Sequence, residues 1–218
     1  RFTPGDEVLA CDFGSTLGIS RHGGYSEYAR VSAETLFPLS STFDCKQALV
    51  LSAGVTVMMA VRQLEKNGVT PQLGPILVTG ATGGIGSVAV SLLSKRGYSV
   101  AASTGKPEAH DYLRRLGASE VLGREEVSAD STRPLEAQRW AGGIDMVGGA
   151  TLAYLMRTTK KGGAIAAIGV AGGATFQATV YPLILRGIKV LGVDMPSTPL
   201  EVRRALWEEV TRESAFLG

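Results

Sequence analysis

Gly84, Gly86 and Ala89 stand at the spacing G-x-G-x-x-A, directly after the apolar run Ile76-Leu77-Val78 and directly before a helical pattern. The chemistry this allows is the binding of a dinucleotide through its pyrophosphate. A phosphate approaches a backbone closely only where no Cβ intervenes, which calls for glycine at the turn. The free N–H groups of the helix that follows then face the phosphates, and the helix dipole favours their charge. A glycine pattern alone would also suit a surface turn. Here the strand before it and the helix after it supply the context that binding needs.

The surrounding elements must hold that turn in place. Strand candidates alternate with helical stretches from Gly74 onward: strands at Ile76–Thr79, Tyr98–Ser103, Val121-Leu122, Ile144–Val147, Ala164–Ile168 and Ile188–Val193. Helices are expected at about Ile85–Arg96, Pro107–Leu116, Leu152–Lys160 and Glu201–Glu213. Ile85, Val88, Ala89, Leu92 and Leu93 share one helical face, and Gly97 closes that helix. This alternation predicts an α/β fold: a doubly wound parallel sheet of Rossmann type with right-handed crossovers. Upstream, residues 1 to about 38 read as β-rich, with strands at Glu7–Ala10 and Tyr25–Val31. Asp44 suits an N-cap, with Gln47 as its capping-box partner, and Val57, Ala60, Val61 and Leu64 line one stripe of the helix that follows.

Composition narrows the partners. The 218 residues are 44% hydrophobic and carry a net charge of +2 without a basic run, a poor match to nucleic acid. The 28 glycines are about twice the usual share and punctuate the alternating elements. No stretch reads as a membrane span of about 20 apolar residues. Cys11 and Cys45 are the only cysteines, which suits a reducing compartment and leaves no four-cysteine zinc site. His22 reads as a turn residue without a ligand partner nearby. Arg1 is not a start methionine and the chain stops at Phe216-Leu217-Gly218, so the sequence reads as a fragment of a longer polypeptide.

The end of the second strand of the α/β region selects the nucleotide. NAD sites place an acid there for the ribose 2′-hydroxyl, about 20 residues beyond the glycines. Val100-Ala101-Ala102-Ser103-Thr104-Gly105-Lys106 has none before Glu108. Two hydroxyls and a cation suit a 2′-phosphate instead, so NADPH is expected over NADH.

Two families use this kind of turn. Thr79-Gly80-x-x-x-Gly84-x-Gly86 resembles that of short-chain dehydrogenases, but no tyrosine here has a lysine four residues later, and the turn follows a β-rich segment. The chain is more similar to the medium-chain dehydrogenase/reductase superfamily, in its zinc-free branch. Pro4-Gly5-Asp6-Glu7-Val8, Gly23-Gly24-Tyr25-Ser26-Glu27-Tyr28, Leu116-Gly117-Ala118 and Gly162-Gly163 fall in that family's order around the glycine turn. Ser103-Thr104-Gly105-Lys106, His110-x-Tyr112-Leu113, Trp140-Ala141-Gly142 and Leu185-Arg186-Gly187 resemble its acrylyl-CoA reductase group, which is also called quinone oxidoreductase-like.

The resemblance implies an NADPH-dependent oxidoreductase that reduces an activated carbon–carbon double bond, an acryloyl-CoA-like enoyl thioester, by hydride transfer. A quinone acceptor, or a non-catalytic NADPH-binding module, is the alternative. It implies a partial β-rich, GroES-like catalytic domain over 1–43, a connecting helical region over 44–73 and a Rossmann domain over 74–218, with the active site in a cleft between domains. Carried over by position, Thr82, Gly83, Gly84 and Ile85 would contact the pyrophosphate. Ser103, Thr104, Gly105 and Lys106 would hold the 2′-phosphate, with Arg124 a further candidate. Ile168, Gly169 and Val170 would lie along the nicotinamide ribose, and Val193 and Asp194 near the nicotinamide. Ala53 stands where the zinc-dependent branch has a cysteine ligand, so no catalytic zinc is expected. No catalytic acid is assigned. A homodimer acting on a small-molecule substrate, soluble and intracellular, in the cytoplasm with an organelle as the alternative, completes the expectation, and the sequence gives Asp145 no role beyond capping.

Overall fold

The computed structural model describes residues 2–10, 23–39 and 43–213. Cys11, His22 and the terminal residues 1 and 214–218, on which some expectations fell, lie outside them. The chain forms two compact units, 1–58 with 194–218, and 59–193.

In the first unit, β1 (Val8–Ala10) pairs antiparallel with β2 (Leu36–Pro38), with Leu9 opposite Phe37. Phe37 is buried, and its ring lies 5.9 Å from that of Trp207 on helix α6 (Leu200–Arg212). The expected strand at Tyr25–Val31 does not form. Its alternation finds no neighbouring strand among the described residues, and Tyr25 and Tyr28 are fully exposed. A period of two supplies a pattern of faces but not the ladder that makes a strand.

Helix α1 runs unbroken from Cys45 to Lys66. Its start is the expected reciprocal capping box: the Gln47 N–H donates to Asp44 Oδ1 (2.7 Å) and the Asp44 N–H to Gln47 Oε1 (3.0 Å). Val57, Ala60, Val61 and Leu64 are all buried. The sequence expectation of no membrane-length apolar segment needs correction. This 22-residue helix is long and apolar enough to span, with a mean hydropathy of 1.3 in its best window. Half of that window is buried, as in the core helix of a folded domain.

The second unit carries a six-stranded, wholly parallel sheet. Its strands are β3 (Ile76–Val78), β4 (Val100–Thr104), β5 (Glu120–Gly123), β6 (Trp140–Asp145), β7 (Thr159–Ala167) and β8 (Lys189–Gly192), in the spatial order β5-β4-β3-β6-β7-β8. That is the doubly wound Rossmann order expected. Helices α2 (Gly84–Lys95), α3 (His110–Arg115), α4 (Gly149–Thr158) and α5 (Tyr181–Arg186) make the crossovers. The central strands are buried on both faces, as a sheet sandwiched by helices requires.

One boundary moved. The helix expected over Leu152–Lys160 stops at Thr158, and β7 begins at once with Thr159. Trp140 pairs with Thr159 across a bulge, and the Lys160 ammonium donates to the Leu73 carbonyl (2.8 Å), so both lysines of Lys160-Lys161 belong to strand rather than helix.

Tyr98 anchors the entry to β4. Its hydroxyl donates to the Val69 carbonyl (3.1 Å) and faces the Glu65 carboxylate. Burial first, then that carboxylate, push its pKa up to about 12. The folded state therefore holds the phenol proton where the unfolded chain, near pH 10, releases it. Stability is expected to fall as pH rises from about 10 to 12, and Tyr98→Phe should flatten that fall while lowering stability near neutrality by about 1 kcal/mol. Thermal melts of both proteins across that range check it.

Candidate nucleotide site

β3 and β6 are neighbours at the sheet's centre, and from them the crossovers run in opposite directions. In such sheets ligands bind beyond the carboxyl ends of the strands at this reversal. The residues found there are those of the glycine turn.

After β3, Thr79 is buried and Gly80 adopts φ +59°. The Ala81 N–H donates to the Ser103 carbonyl (3.0 Å), which ties the turn to β4. The Gly83 N–H donates to the Gly80 carbonyl (3.0 Å), and Gly83 caps α2 in an extended conformation. The first-turn amides of α2, starting at Gly84, have no partners within the helix. A Cβ on Gly84 would meet nothing within 4 Å, so this end of the turn is open. A Cβ on Gly86 would lie 2.4 Å from the Gly80 carbonyl oxygen, so α2 packs onto the turn as only glycine allows.

The opposite wall comes from the ends of β4 and β5. Ser103 and Thr104 are buried, and the hydroxyls of Thr82 and Thr104 lie 3.2 Å apart. The Lys106 N–H donates to Thr104 Oγ1 (3.1 Å). Lys106 and Arg124 are exposed. The Arg124 guanidinium lies so close over Gly105 that a Cβ there would meet it at 2.6 Å. Thr82, Ser103, Thr104, Gly105, Lys106 and Arg124 thus share one cleft of about 220 Å³. Two cations and no carboxylate line it. Just beyond β5, the Glu126 carboxylate accepts the Gly123 N–H (2.8 Å).

The third wall was missed in the sequence. Val147 and Thr151 from the β6–α4 connection, and Ala171 and Gly172 from the segment after β7, also line the cleft, with Thr79 and Gly80 at its base. The signal for it was present as two glycine pairs. Gly148 and Gly149 adopt φ +70° and +52°, and Gly148 bridges to Gly173. The Gly172 N–H donates to the Val147 carbonyl (2.7 Å).

Not every expected residue reaches this cleft. Gly83, Gly84 and Ile85, at the start of α2, are not among the lining residues, and neither are Ile168, Gly169 and Val170. The N–H groups of Ile168 and Gly169 both point to the Asp145 carbonyl (2.8 and 3.3 Å), and Val170 is 64% exposed. Val193 is buried, its N–H donating to the Ala167 carbonyl (3.0 Å). Asp194 falls in the other compact unit, where its carboxylate accepts the Ser197 N–H (3.1 Å).

A larger hollow of about 990 Å³ opens beside α4, lined among others by Asp130, Arg133, Arg157 and Phe176. No glycine lines it, and Arg157 is already bonded to Glu136 (2.8 Å) and the Ala129 carbonyl (2.8 Å). The smaller cleft is the better site because its donors are placed for phosphate. Asp145 is fully buried at the end of β6, and burial raises its pKa against the hydrogen bonds that lower it. Among the described residues no three His, Cys, Asp or Glu side chains come together as a metal set.

Comparisons with known proteins agree with this geometry. The family described as zinc-binding dehydrogenase matches residues 84–212. The acrylyl-CoA reductase AcuI of Ruegeria pomeroyi is 47% identical over 214 residues, 98% of this chain and 64% of its own length. The chain spans 64% of the length of AcuI and of the curated Bacillus subtilis relative YhfP. The crystal structure of Escherichia coli YhdH with bound NADPH matches with a TM-score of 0.90 at 45% identity, covering 100% of this chain and 66% of that one. Bacillus subtilis yhfP, solved with NAD bound, matches with a TM-score of 0.88 at 50% identity, covering 100% of this chain and 65% of that one.

Proposed function

The chain belongs to the zinc-binding dehydrogenase family, within the medium-chain dehydrogenase/reductases, and from that premise we propose that it carries the nucleotide domain of an NADPH-dependent reductase of activated carbon–carbon double bonds. An enoyl thioester of the acryloyl-CoA kind is the substrate class, by likeness to AcuI. The observation that carries the cofactor half is the cleft wall of Ser103, Thr104, Gly105, Lys106 and Arg124, two cations where an NAD site has an acid.

The residues present fit the cofactor. Thr82, Gly83, Gly84 and Ile85 would hold the pyrophosphate on bare amides, and the 2′-phosphate would lie between Lys106 and Arg124. Ile168, Gly169, Val170, Val193 and Asp194 are assigned to the nicotinamide end by position in the family. When bound, NADPH supplies the hydride for the β-carbon, and the protein supplies placement. Zinc does not fit the described residues: no ligand set converges and Ala53 offers no donor, so no step runs through a metal.

Turnover by the full chain separates the readings. With NADPH as donor, acryloyl-CoA should be reduced with a kcat/KM more than about tenfold above that for a benzoquinone. The reverse ratio would make quinone the acceptor, and NADPH binding with no turnover of either would leave a nucleotide-binding module.

The division into 1–43, 44–73 and 74–218 is part of the proposal. Limited proteolysis cutting near 43 and 73 supports it, whereas a stable fragment ending near 193 moves the last boundary. An intracellular setting follows from dependence on NADPH. We also propose a homodimer formed along β8, an edge of the sheet whose Val190 is exposed, together with Ile184 and Leu185 of α5. Ile184→Glu should halve the mass measured by light scattering, and an unchanged mass would remove this surface from the interface.

A further inference from the structure

The buried carboxylate of Asp145 has no part in the function proposed above, yet the phosphate turn and the third wall of the cleft meet at it. Its Oδ1 accepts the Thr79 hydroxyl (2.5 Å), and the Thr79 oxygen accepts the Met146 N–H in turn (3.2 Å). Thr79 immediately precedes Gly80, so this bond fixes the point where the phosphate turn leaves β3. Oδ2 accepts the Gly148 N–H (2.8 Å), which shapes the left-handed Gly148-Gly149 pair. The Thr151 hydroxyl then donates to the Gly148 carbonyl (2.6 Å), placing a residue that lines the cleft. The Asp145 carbonyl receives the Ile168 N–H (2.8 Å), from which the third wall continues to Gly172.

A carboxylate is costly to bury fully unless every lone pair facing the protein is used. A capping role alone would need only the Gly148 bond, and an exposed Asp or Ser would meet it. The Thr79 bond reaches across to the neighbouring central strand, 66 residues away in sequence, at the reversal of the sheet.

We infer that Asp145 is a positioning residue for the dinucleotide, locking the phosphate turn to the β6–α4 connection through the Thr79 hydroxyl. This rests on the reading of the cleft as an NADPH site. Asparagine at 145 has a single acceptor oxygen, so with the Gly148 bond kept the Thr79 O–H loses its carboxylate acceptor while the side-chain shape is unchanged.

The test is NADPH titration by fluorescence and steady-state kinetics on the full chain and its variants. Asp145→Asn and Thr79→Val should each weaken NADPH binding about tenfold. The KM for NADPH should rise by more than kcat at saturating NADPH falls. Thr79→Ser, which keeps the hydroxyl, should restore native affinity, and a merely structural role for Thr79 would not show that rescue. Native-like affinity in both Asp145→Asn and Thr79→Val overturns the assignment, as does a Thr79→Ser loss equal to that of Thr79→Val. Failure of the native protein to bind NADPH overturns the cofactor reading itself.

Discussion

Arg124→Glu is expected to cut NADPH affinity about a hundredfold while changing NADH affinity by less than about threefold. The 2′-phosphate is the only group that distinguishes the two cofactors, so a side chain that acts only on it alters only one affinity. In the sequence Arg124 was the weaker candidate beside Lys106, and the prediction reverses that order. Both side chains are exposed, but the Arg124 guanidinium lies over Gly105 and is a planar donor that can meet phosphate oxygens in pairs, whereas the Lys106 ammonium is a point charge on a flexible stem. Reversing the charge removes one attraction and adds one repulsion, and an acid at this wall is the arrangement of an NAD site. Lys106→Glu should act in the same direction with a smaller loss, because an ammonium meets a phosphate as a point charge and not through a paired fork of donors. Fluorescence titration with both cofactors at fixed ionic strength measures it. Equal losses for NADH and NADPH would place Arg124 at a part of the ligand common to both. The NAD-bound yhfP structure makes the NADH arm of this experiment the informative one.

Gly86→Ala is expected to destabilise the protein by about 2–3 kcal/mol, a fall in Tm of roughly 4–12 °C, and to abolish tight nucleotide binding. The added methyl would sit 2.4 Å from the Gly80 carbonyl oxygen and 2.8 Å from the Ala81 Cα, and both are backbone atoms of the turn itself. No rotamer change relieves that clash. Either α2 moves away or the turn opens, and in both cases the amides at the start of α2 leave the position in which they face the ligand. Gly84→Ala is the control, since its Cβ would enter open space at the mouth of the turn. It should leave Tm within about 1 °C of native and weaken binding alone, through crowding of the phosphate. Calorimetry and cofactor titration on both variants separate the two effects.

The sheet was legible because its strands hold short apolar runs, most of them fenced by glycine or proline, and the helix after the glycine turn carries a clear apolar stripe. Ile76-Leu77-Val78 between Pro75 and the glycine turn is the clearest case. The phosphate turn was legible because its demands are steric and local. Two kinds of information were out of reach. Tyr25–Val31 has a strand's period, but a strand also needs a neighbour, and pairing is decided by distant chain. Likewise Val147, Thr151, Ala171 and Gly172 come to the cleft only through the bonds between two loops. None has a side chain that announces a site, and their glycine neighbours showed only that two bends were coming. Asp145 was read as a cap because the Gly148 bond is local. Its longer-range bond to Thr79 could not be seen without the sheet order.

The order of strands also governs how this domain is made. β3 occupies a central place, yet one of its two partners, β6, is finished only 66 residues after Thr79. At a ribosomal rate of roughly 5–20 residues per second, one flank of a wholly apolar strand waits about 3–13 s for its complement. During that interval the nascent chain offers bare peptide groups to any other extended segment nearby. Translation speed across residues 79–139, rather than the sturdiness of the finished domain, should therefore govern how much of it is recovered in soluble form.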